Sequence, residues 1–356
     1  MITVGDGVPH DGQNAEPAGI SARQEEHVIG VDTATKICSP CAACNGGTME
    51  RRSMLRPGIN LSRMLLLRVV LGIAIGYALV ALLAWLLQER LAFPAPRAPV
   101  PDPRQLGIAH GERIELVSGD GTNLVGWLLG PRPEQGAEGR GRAGNAGDAS
   151  RVLPRPPASF PALLWFYGNG ENIAAIHPVL RDFQPSGAAL LAVDYPGYGG
   201  SQGRATEEGL YAAADAAYAA LVAHPGVDPR RIYVYGRSLG SAIATYTATR
   251  HPVAGLILES PFTSAPAMAR HLYGFLPRFA LRLQLDNLVS IRQVRCPVLL
   301  FHGTADRLVP TAMGMQVAAA AAGSVEVVLI HGSGHNDTYA VGGREYRDKV
   351  WEFVGR

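Results

Sequence analysis

The stretch RIYVYGRSLGSAIATYTATR, residues 231–250, joins a predicted strand to a predicted helix through a short, glycine-flanked turn. Its first part, IYVY, is β-branched and aromatic as in a buried strand, and its last part, SAIATYTATR, is rich in small residues as in a closely packed helix. Gly236 and Gly240 stand two residues before and after Ser238, so the strand and the helix can pass close to each other. The stretch therefore predicts an α/β fold that presents Ser238 at a tight, strained bend.

Short apolar runs alternate with helical patterns on both sides of this stretch. Strands so apolar are covered on both faces, as in a parallel sheet between two layers of helices, and right-handed crossovers then give a doubly wound fold. Strands are predicted at 112–118, 122–130, 162–167, 189–195, 231–235, 254–260, 297–303 and 325–332. Helices are predicted near 171–184 and at 206–223, 241–250, 311–322 and 344–354. The first two strands form a hairpin around Asp120-Gly121, so we expect a mostly parallel, eight-stranded sheet.

The composition of the chain argues against some classes of protein and of site. The chain has 356 residues, 47% of them apolar, and its formal net charge of +2 argues against a nucleic-acid-binding protein. Cys38, Cys41 and Cys44 lie close together, but no nearby histidine supplies the fourth ligand of a tetrahedral zinc site. We therefore expect no metal and no cofactor.

An uncharged run, Val69–Leu87, precedes the predicted sheet. Its 19 residues correspond to about 28 Å of helix, close to the thickness of the bilayer hydrocarbon core. The arginines before the run place the N-terminus in the cytoplasm and the rest of the chain on the outer side. A buried core helix and a cleaved signal peptide are alternatives, although the run is long for a signal peptide and Pro94 and Pro96 make a poor cleavage site. A retained signal anchor is favoured.

These patterns divide the chain into segments. Residues 1–63 lack helical or strand periodicity and are expected to be a disordered leader, or untranslated if Met49, Met54 or Met64 is the start. The remaining segments are the anchor at 64–90, a linker at 91–110, and one domain at 111–356 that contains a Gly/Arg/Pro-rich surface insertion at 131–158 and a cap at 261–294. The cap mixes Phe, Leu and Tyr with Arg, so it either lines an acyl pocket that faces the bilayer or forms ordinary surface helices.

Two serines match the G-x-S-x-G pattern, Ser238 and Ser201. Because 42 of the 356 residues are glycine, the pattern alone says little. Ser238 has a strand directly before it and a helix directly after it, which is the setting of a nucleophile elbow. The strand before Ser201 ends earlier, and the intervening PGYGG is typical of a loop. Ser238 is therefore the candidate nucleophile.

A serine hydroxyl needs a base to accept its proton. His335 follows a predicted strand near the end of the chain and is the candidate base, and Asp306 follows the preceding strand and is the candidate acid that orients it. Their side chains are expected at the same sheet edge as Ser238, where open α/β sheets bind ligands. The negative charge that forms on a substrate oxygen would be stabilised by the backbone N–H groups of Leu239 and Asn169.

Other titratable residues have competing interpretations. His302 and His331 are predicted to be packed or hydrogen-bonded core histidines. Glu259, at the end of the strand after the elbow helix, is an alternative acid. Asp194 is expected to hold its own loop, and Asp337 is expected to cap the last helix.

Residues from about 110 to 356 resemble the membrane-anchored, single-domain α/β-hydrolase family that includes eukaryotic depalmitoylase-type hydrolases and bacterial serine aminopeptidase-like proteins. The resemblance lies in motifs that occur in the order GNGEN (168–172), DYPGYGGSQG (194–203), YGRSLG (235–240), ESPFTS (259–264), HGTADRLVP (302–310) and GSGHND (332–337). ERLAFP, after the apolar run, is also similar. Two features depart from the family pattern: Tyr167 stands where it usually has histidine, and the Gly/Arg-rich insertion is atypical.

The resemblance implies an α/β-hydrolase fold and a Ser238–Asp306–His335 triad that hydrolyses ester or thioester bonds. The expected partners are a small acyl or lipid-like substrate and, through residues 69–87, a membrane. An aminopeptidase-like peptidase and a non-catalytic, membrane-anchored binding protein are the alternatives.

Overall fold

A computed structural model describes residues 61–132, 159–275 and 281–355. The predicted disordered leader up to residue 60, with Cys38, Cys41 and Cys44, lies outside the described residues, as does most of the predicted surface insertion.

One eight-stranded sheet forms the centre of the domain. Its strands are β1 Gly111–Val117, β2 Asn123–Leu129, β3 Phe160–Phe166, β4 Ala189–Val193, β5 Val227–Arg237, β6 Gly255–Glu259, β7 Val298–Gly303 and β8 Val325–Ile330. The spatial order is β1-β2-β4-β3-β5-β6-β7-β8. Pairing is antiparallel from β1 to β2 and from β2 to β4, and parallel between all other neighbours. The predicted fold class is therefore confirmed.

Helices connect the strands and cover the sheet. They are α1 Leu61–Ala92, α2 His177–Phe183, α3 Glu207–Ala223, α4 Leu239–Arg250, α5 Ala265–Leu272, α6 Asn287–Ser290, α7 Thr311–Ala320 and α8 Thr338–Gly355. Two of them differ from the prediction. Helix α2 begins only at His177, because residues before it form a loop in which Ile173 N–H donates to Asp194. Helix α8 begins at Thr338 and is interrupted at Gly343, whose φ is +50°.

Aromatic side chains fill the core between the sheet and the pair α2 and α8. Trp165 of β3 stacks on Tyr235 of β5 with ring centroids 3.6 Å apart. Phe183, the last residue of α2, meets Tyr346 of α8 edge-on at 4.9 Å. Because successive strand residues point to opposite faces, Ile232 and Val234 face the other layer. This double-sided burial explains why the strand sequences are apolar throughout.

Helix α1 contains the uncharged run and is, within the part of the chain that the structure describes, the one helix that is long and apolar enough to cross a membrane. Most of its side chains are exposed. The compact unit that contains the sheet begins inside this helix, at Ile75. The second half of α1 therefore belongs to the same unit as the sheet.

Candidate active site

Ser238 occupies the single residue between the end of β5 and the start of α4. Its φ of 50° and ψ of −114° are strained for a residue with a side chain. A Cβ atom on Gly236 would lie 2.2 Å from the carbonyl oxygen of Gly240, and a Cβ atom on Gly240 would lie 2.2 Å from that of Phe166. Both flanking glycines are thus required for the close passage of strand and helix, and the bend exposes the serine hydroxyl to neighbouring loops.

The structure brings Ser238, His335 and Asp306 into one chain of hydrogen bonds. His335 Nε2 lies 3.0 Å from Ser238 Oγ, and His335 Nδ1 lies 2.7 Å from Asp306 Oδ2. Asp306 follows β7 and His335 follows β8, so all three residues lie at the carboxyl edge of the parallel strands. An ionised carboxylate can only accept, so Nδ1 carries the imidazole proton and Nε2 is free to accept the serine proton.

Asp306 is buried and remains ionised. Burial raises the pKa of this carboxyl, but contacts with His302 and His335 and the hydrogen bond from Val309 N–H outweigh burial, so the pKa lies well below its ordinary value. The second oxygen, Oδ1, accepts from Leu308 N–H at 3.0 Å and Val309 N–H at 2.8 Å. The carboxylate is therefore a fixed negative charge that holds the His335 ring in one orientation.

The two histidines predicted to be core residues have different environments. His302 is fully buried, with Nε2 2.9 Å from the Val309 carbonyl oxygen and 3.5 Å from Asp306 Oδ2, so it also supports the aspartate. The prediction for His331 is wrong, because β8 ends at Ile330 and His331 is exposed in the turn that follows.

Glu259, the alternative acid, has other partners. Its Oε2 accepts from the hydroxyls of Tyr235 and Tyr346, and its Oε1 accepts from the hydroxyl of Thr338. The guanidinium of Arg237 lies 3.3 Å from Oε1. The carboxylate of Glu259 is thus occupied in a buried cluster, whereas that of Asp306 contacts His335.

Asp194 holds its own loop, as predicted from the sequence. Its Oδ1 accepts from Tyr167 Oη at 3.0 Å and Ile173 N–H at 2.9 Å, and its Oδ2 accepts from Gly200 N–H at 3.2 Å. Burial raises the pKa of this carboxyl even though these donors lower it. Asp194 therefore ties the loops after β3 and β4 together.

Asp337 directly precedes α8, and its carbonyl oxygen accepts the first hydrogen bond of the helix, from Val341 N–H at 2.8 Å. Its Oδ1 accepts from Gly334 N–H at 2.6 Å and from Ser333 Oγ at 3.0 Å. The Asp337 side chain thus fixes the turn that carries His335. Asp337 therefore stands at the N-cap position that the sequence predicts, and its carboxylate additionally holds the turn before the helix.

Tyr167 stands where the family that this sequence resembles usually has histidine. Its hydroxyl and its carbonyl oxygen both have hydrogen-bond partners. Its hydroxyl donates to Asp194 and accepts from Tyr195 N–H at 3.2 Å, and its carbonyl oxygen accepts from Tyr195 Oη at 2.7 Å. The tyrosine thus anchors the loop after β3 without a histidine.

The same loop carries Asn169, one of the two predicted oxyanion donors. The Asn169 side chain accepts from Tyr198 Oη at 2.5 Å and donates to the Ala92 carbonyl oxygen at 2.6 Å. Leu239, the other predicted donor, is the first residue of α4, and the first N–H groups of a helix have no acceptor within it. The assignment of the oxyanion hole to these two N–H groups stays a prediction.

Arg237, directly before Ser238, is a residue that sequence reasoning missed. Its Nη1 donates to Glu171 Oε1 at 2.8 Å, and its Nη2 donates to the His335 carbonyl oxygen at 3.0 Å and to Asn336 Oδ1 at 2.9 Å. Burial lowers the pKa of this guanidinium, but Glu259 and Glu171 outweigh burial and keep it charged. Arg237 thus fastens the elbow to the His335 loop. The position of Arg237 inside the G-x-S-x-G pattern could have marked it as a candidate site residue, but its distant partners cannot be identified from the sequence.

Within residues 61–132, 159–275 and 281–355, no group of three or more His, Cys, Asp or Glu side chains is placed to hold a metal ion.

The chain is similar to one family model and to several known proteins. A family model described as serine aminopeptidase, S33, matches residues 159–294. An uncharacterised protein of Mycobacterium tuberculosis is 34% identical over 304 residues, which cover 83% of this chain and 97% of that protein. Alpha/beta hydrolase domain-containing protein 17B of Xenopus laevis is 32% identical over 205 residues, 56% of this chain and 68% of that protein.

Among solved structures, the chain is similar to an esterase of Pyrococcus furiosus. The TM-score is 0.56 at 18% sequence identity, and the match covers 74% of this chain and 97% of the esterase. At this identity the likeness concerns the fold alone.

Proposed function

The chain belongs to the α/β-hydrolase family, and on that premise we propose that it is a serine hydrolase that cleaves acyl ester or thioester bonds with Ser238, His335 and Asp306. The observation that supports this most is the unbroken chain of hydrogen bonds from Ser238 Oγ through the His335 ring to Asp306. Few structural roles require a strained serine, a properly oriented imidazole and an ionised carboxylate in a row.

In the proposed reaction, His335 Nε2 takes the Ser238 proton while Oγ attacks the acyl carbonyl carbon. The imidazolium that forms is stabilised by Asp306 and then gives its proton to the leaving alcohol or thiol. Water, deprotonated by His335, attacks the resulting acyl-enzyme, which releases the carboxylic acid and restores the serine. Backbone N–H groups of Leu239 and Asn169 would stabilise the oxyanion in both steps.

Covalent labelling with a fluorophosphonate probe tests the nucleophile. We expect the wild-type chain and the Ser201→Ala variant to be labelled, and the Ser238→Ala variant to be unlabelled. Labelling that survives in Ser238→Ala would contradict the assignment, and an unlabelled but folded wild-type chain would favour a binding protein.

A peptidase is the second candidate, because the matching family model carries the name serine aminopeptidase. Acyl p-nitrophenyl esters and aminoacyl amides, offered to the same preparation, separate the two. Turnover of the esters alone supports the proposed esterase or thioesterase, and preferential turnover of the amides supports the peptidase.

We further propose that α1 is a retained single-pass anchor with its N-terminus in the cytoplasm and the hydrolase domain on the outer side. The charge bias before the apolar run supports this orientation. Protease added to intact cells would digest the C-terminal domain if the orientation is right and would spare it if the domain is cytoplasmic.

A further inference from the structure

The cap contacts α1 at two levels of the helix. Tyr77 Oη donates to the Phe275 carbonyl oxygen at 2.9 Å. Farther along, Gln88 Oε1 accepts from Arg282 N–H at 2.7 Å and Leu283 N–H at 3.0 Å. Gln88 lies eleven residues after Tyr77, about 16 Å along a helix that rises ~1.5 Å per residue. The cap thus contacts α1 at two points that lie about 16 Å apart along the helix.

The position of Tyr77 sets a depth for Phe275. Tyr77 lies near the middle of the uncharged run Val69–Leu87, and Gln88 directly follows that run. If the run crosses a bilayer with a hydrocarbon core of about 30 Å, Gln88 lies at the interface and Tyr77 near the midplane. Phe275, whose carbonyl oxygen accepts the hydrogen bond from Tyr77, then lies at the depth of the acyl chains.

The side chains of the cap at this depth are apolar and exposed. Leu272, Tyr273 and Phe275 are 46%, 53% and 61% exposed, and we call them the cap face. A cluster of large exposed apolar side chains marks an interaction surface. The stretch from Ala265 to Phe275 contains no acidic residue, and Arg270 is its one arginine. The absence of carboxylates suits a bilayer, because a charged side chain is costly in the hydrocarbon region.

The residues around Gln88, at the end of the apolar run, are typical of a membrane interface. The Arg282 guanidinium lies over the Trp85 ring, 4.7 Å from its centre. Tryptophan and arginine at the end of an apolar span are typical of the headgroup region, where the aromatic ring and the charged group both have partners. The two contacts of the cap with α1 therefore agree on one placement relative to a bilayer.

We propose that the cap face is a second membrane-contacting surface, inserted among lipid acyl chains beside the second half of α1. Lipid is the occupant rather than a soluble protein, because the face is continuous with the apolar helix through the Tyr77–Phe275 hydrogen bond. A second copy of the chain would also have to displace lipid at that depth.

The cap and the end of α1 also contact elements that lie beside the candidate active site. The Asn287 side chain of the cap donates to Ser241 Oγ at 2.9 Å, one turn into the elbow helix. At the end of α1, the Ala92 carbonyl oxygen accepts from the Asn169 side chain. Insertion of the cap face would hold this edge of the sheet at the membrane interface. A substrate drawn from the leaflet follows only if the proposed hydrolase function holds, whereas the membrane contact itself is independent of it.

Depth-dependent fluorescence quenching tests the contact. The full-length chain, with its four cysteines replaced by serine, is reconstituted into vesicles of phosphatidylcholine and phosphatidylglycerol and carries an environment-sensitive fluorophore on one new cysteine. Phe275→Cys and, separately, Tyr273→Cys report on the cap face. Leu79→Cys in α1 is the reference for a position inside the bilayer. Val222→Cys near the end of α3, at the opposite edge of the sheet from Ser238, is the exposed control.

We expect labels at residues 273, 275 and 79 to be quenched by lipids with a nitroxide on the acyl chain and protected from aqueous iodide. The label at residue 222 should show the reverse. The proposal is overturned if the cap labels behave like the one at residue 222, or if the label at residue 79 is itself accessible to iodide. Protection of the cap labels from both quenchers would indicate a protein contact and would also overturn it.

Discussion

The loops around Ser238 and Ser201 carry the same G-x-S-x-G pattern in two different settings. Ser238 lies between β5 and α4, and its hydroxyl is 3.0 Å from the His335 imidazole. Ser201 lies in the loop after β4, where its hydroxyl donates to the Asp194 carbonyl oxygen at 2.7 Å and accepts from Val125 N–H at 2.9 Å. The Ser238 hydroxyl therefore contacts a base, whereas the Ser201 hydroxyl is hydrogen-bonded to two backbone groups.

The glycines of the two patterns are also needed for different reasons. Gly236 and Gly240 allow two backbone segments to pass in contact, since a Cβ atom on either would overlap backbone atoms. Gly199 and Gly203 have φ angles of 47° and 78°, in the left-handed region that favours glycine. A Cβ atom on Gly199 would also overlap the Asp194 carboxylate. Identical letters thus reflect close passage of two backbone segments at the elbow, and a left-handed turn beside a buried carboxylate in the loop. If this separation extends to function, substitutions at Ser238 and its partners should affect turnover, and a substitution at Ser201 should not.

The largest expected effect is that of Ser238→Ala. Without the hydroxyl no acyl-enzyme forms, so we expect kcat on a p-nitrophenyl ester to fall by about 10⁶-fold, as for other serine nucleophiles. The melting temperature should stay near that of the wild type, because the side chain is small and partly exposed. Normal turnover by Ser238→Ala would contradict the assignment of Ser238 as the nucleophile.

The next largest effect is expected for Asp306→Asn. An asparagine favours the wrong imidazole tautomer, so kcat should fall by about 10⁴-fold. Alanine at Glu259 is the matched comparison: it removes a buried carboxylate of the neighbouring strand that does not contact His335. A comparable kinetic loss in a folded Glu259→Ala variant would mean that the acid has been misassigned.

Asp306 also predicts a pH dependence of the free energy of unfolding. Its folded-state pKa lies below the unfolded value of about 3.9. The stabilisation is therefore fully present above that unfolded value and is lost as the pH falls towards the folded pKa. Denaturant titrations in acid should show a smaller loss of stability for Asp306→Asn than for the wild type between about pH 5 and pH 2.

Arg237→Met is expected to have an intermediate effect, because Arg237 positions the elbow and the His335 loop without touching substrate. A displacement of about 1 Å of a catalytic group lowers turnover by about 10²-fold. We expect the loss mainly in kcat and in the rate of fluorophosphonate labelling, with KM little changed. Arg237→Lys keeps the charge but not the fork that joins Glu171 to the His335 loop, so it should restore turnover only in part. Loss of stability with normal labelling of the folded fraction would contradict a positioning role.

A smaller effect is expected for the double substitution of Tyr273 and Phe275 by serine. If the cap face lies among acyl chains, turnover of an ester embedded in vesicles should fall by about 30-fold, because burying the exposed halves of the two side chains is together worth about 2 kcal/mol. Turnover of a short, water-soluble ester should be unchanged, since neither residue belongs to the catalytic machinery. Equal losses on both substrates would argue for a distorted site instead.

The fold and the three candidate catalytic residues could be predicted because their signals are local. Each strand is a continuous apolar run, and Ser238, Asp306 and His335 each follow one of these runs directly. Parallel strands place such positions at one edge, so residues almost one hundred positions apart meet without any further information.

The features that could not be predicted from the sequence depend on long-range contacts. The partners of Arg237 lie in the loops after β3 and β8 and at the end of β6, and nothing near Arg237 in the sequence identifies them. The late start of α2 follows from the contact between Ile173 and Asp194, and the exposure of His331 from the point at which β8 ends. Residues 171–176 and 331–332 continue the local pattern of their elements, so only the packed structure shows where those elements begin and end.

The smallest effect on activity is expected for Ser201→Ala, which tests the comparison from the other side. The substitution leaves Val125 N–H and the Asp194 carbonyl oxygen without their buried partner, so the free energy of unfolding should fall by about 1–3 kcal/mol. The kinetic constants and the fluorophosphonate labelling of the folded protein should match the wild type, because Ser201 and Ser238 have separate partners. Chemical denaturation and ester turnover on one preparation measure both. If turnover fell with stability intact, Ser201 would have a part in the chemistry, and the setting of a G-x-S-x-G pattern would no longer decide the role of its serine.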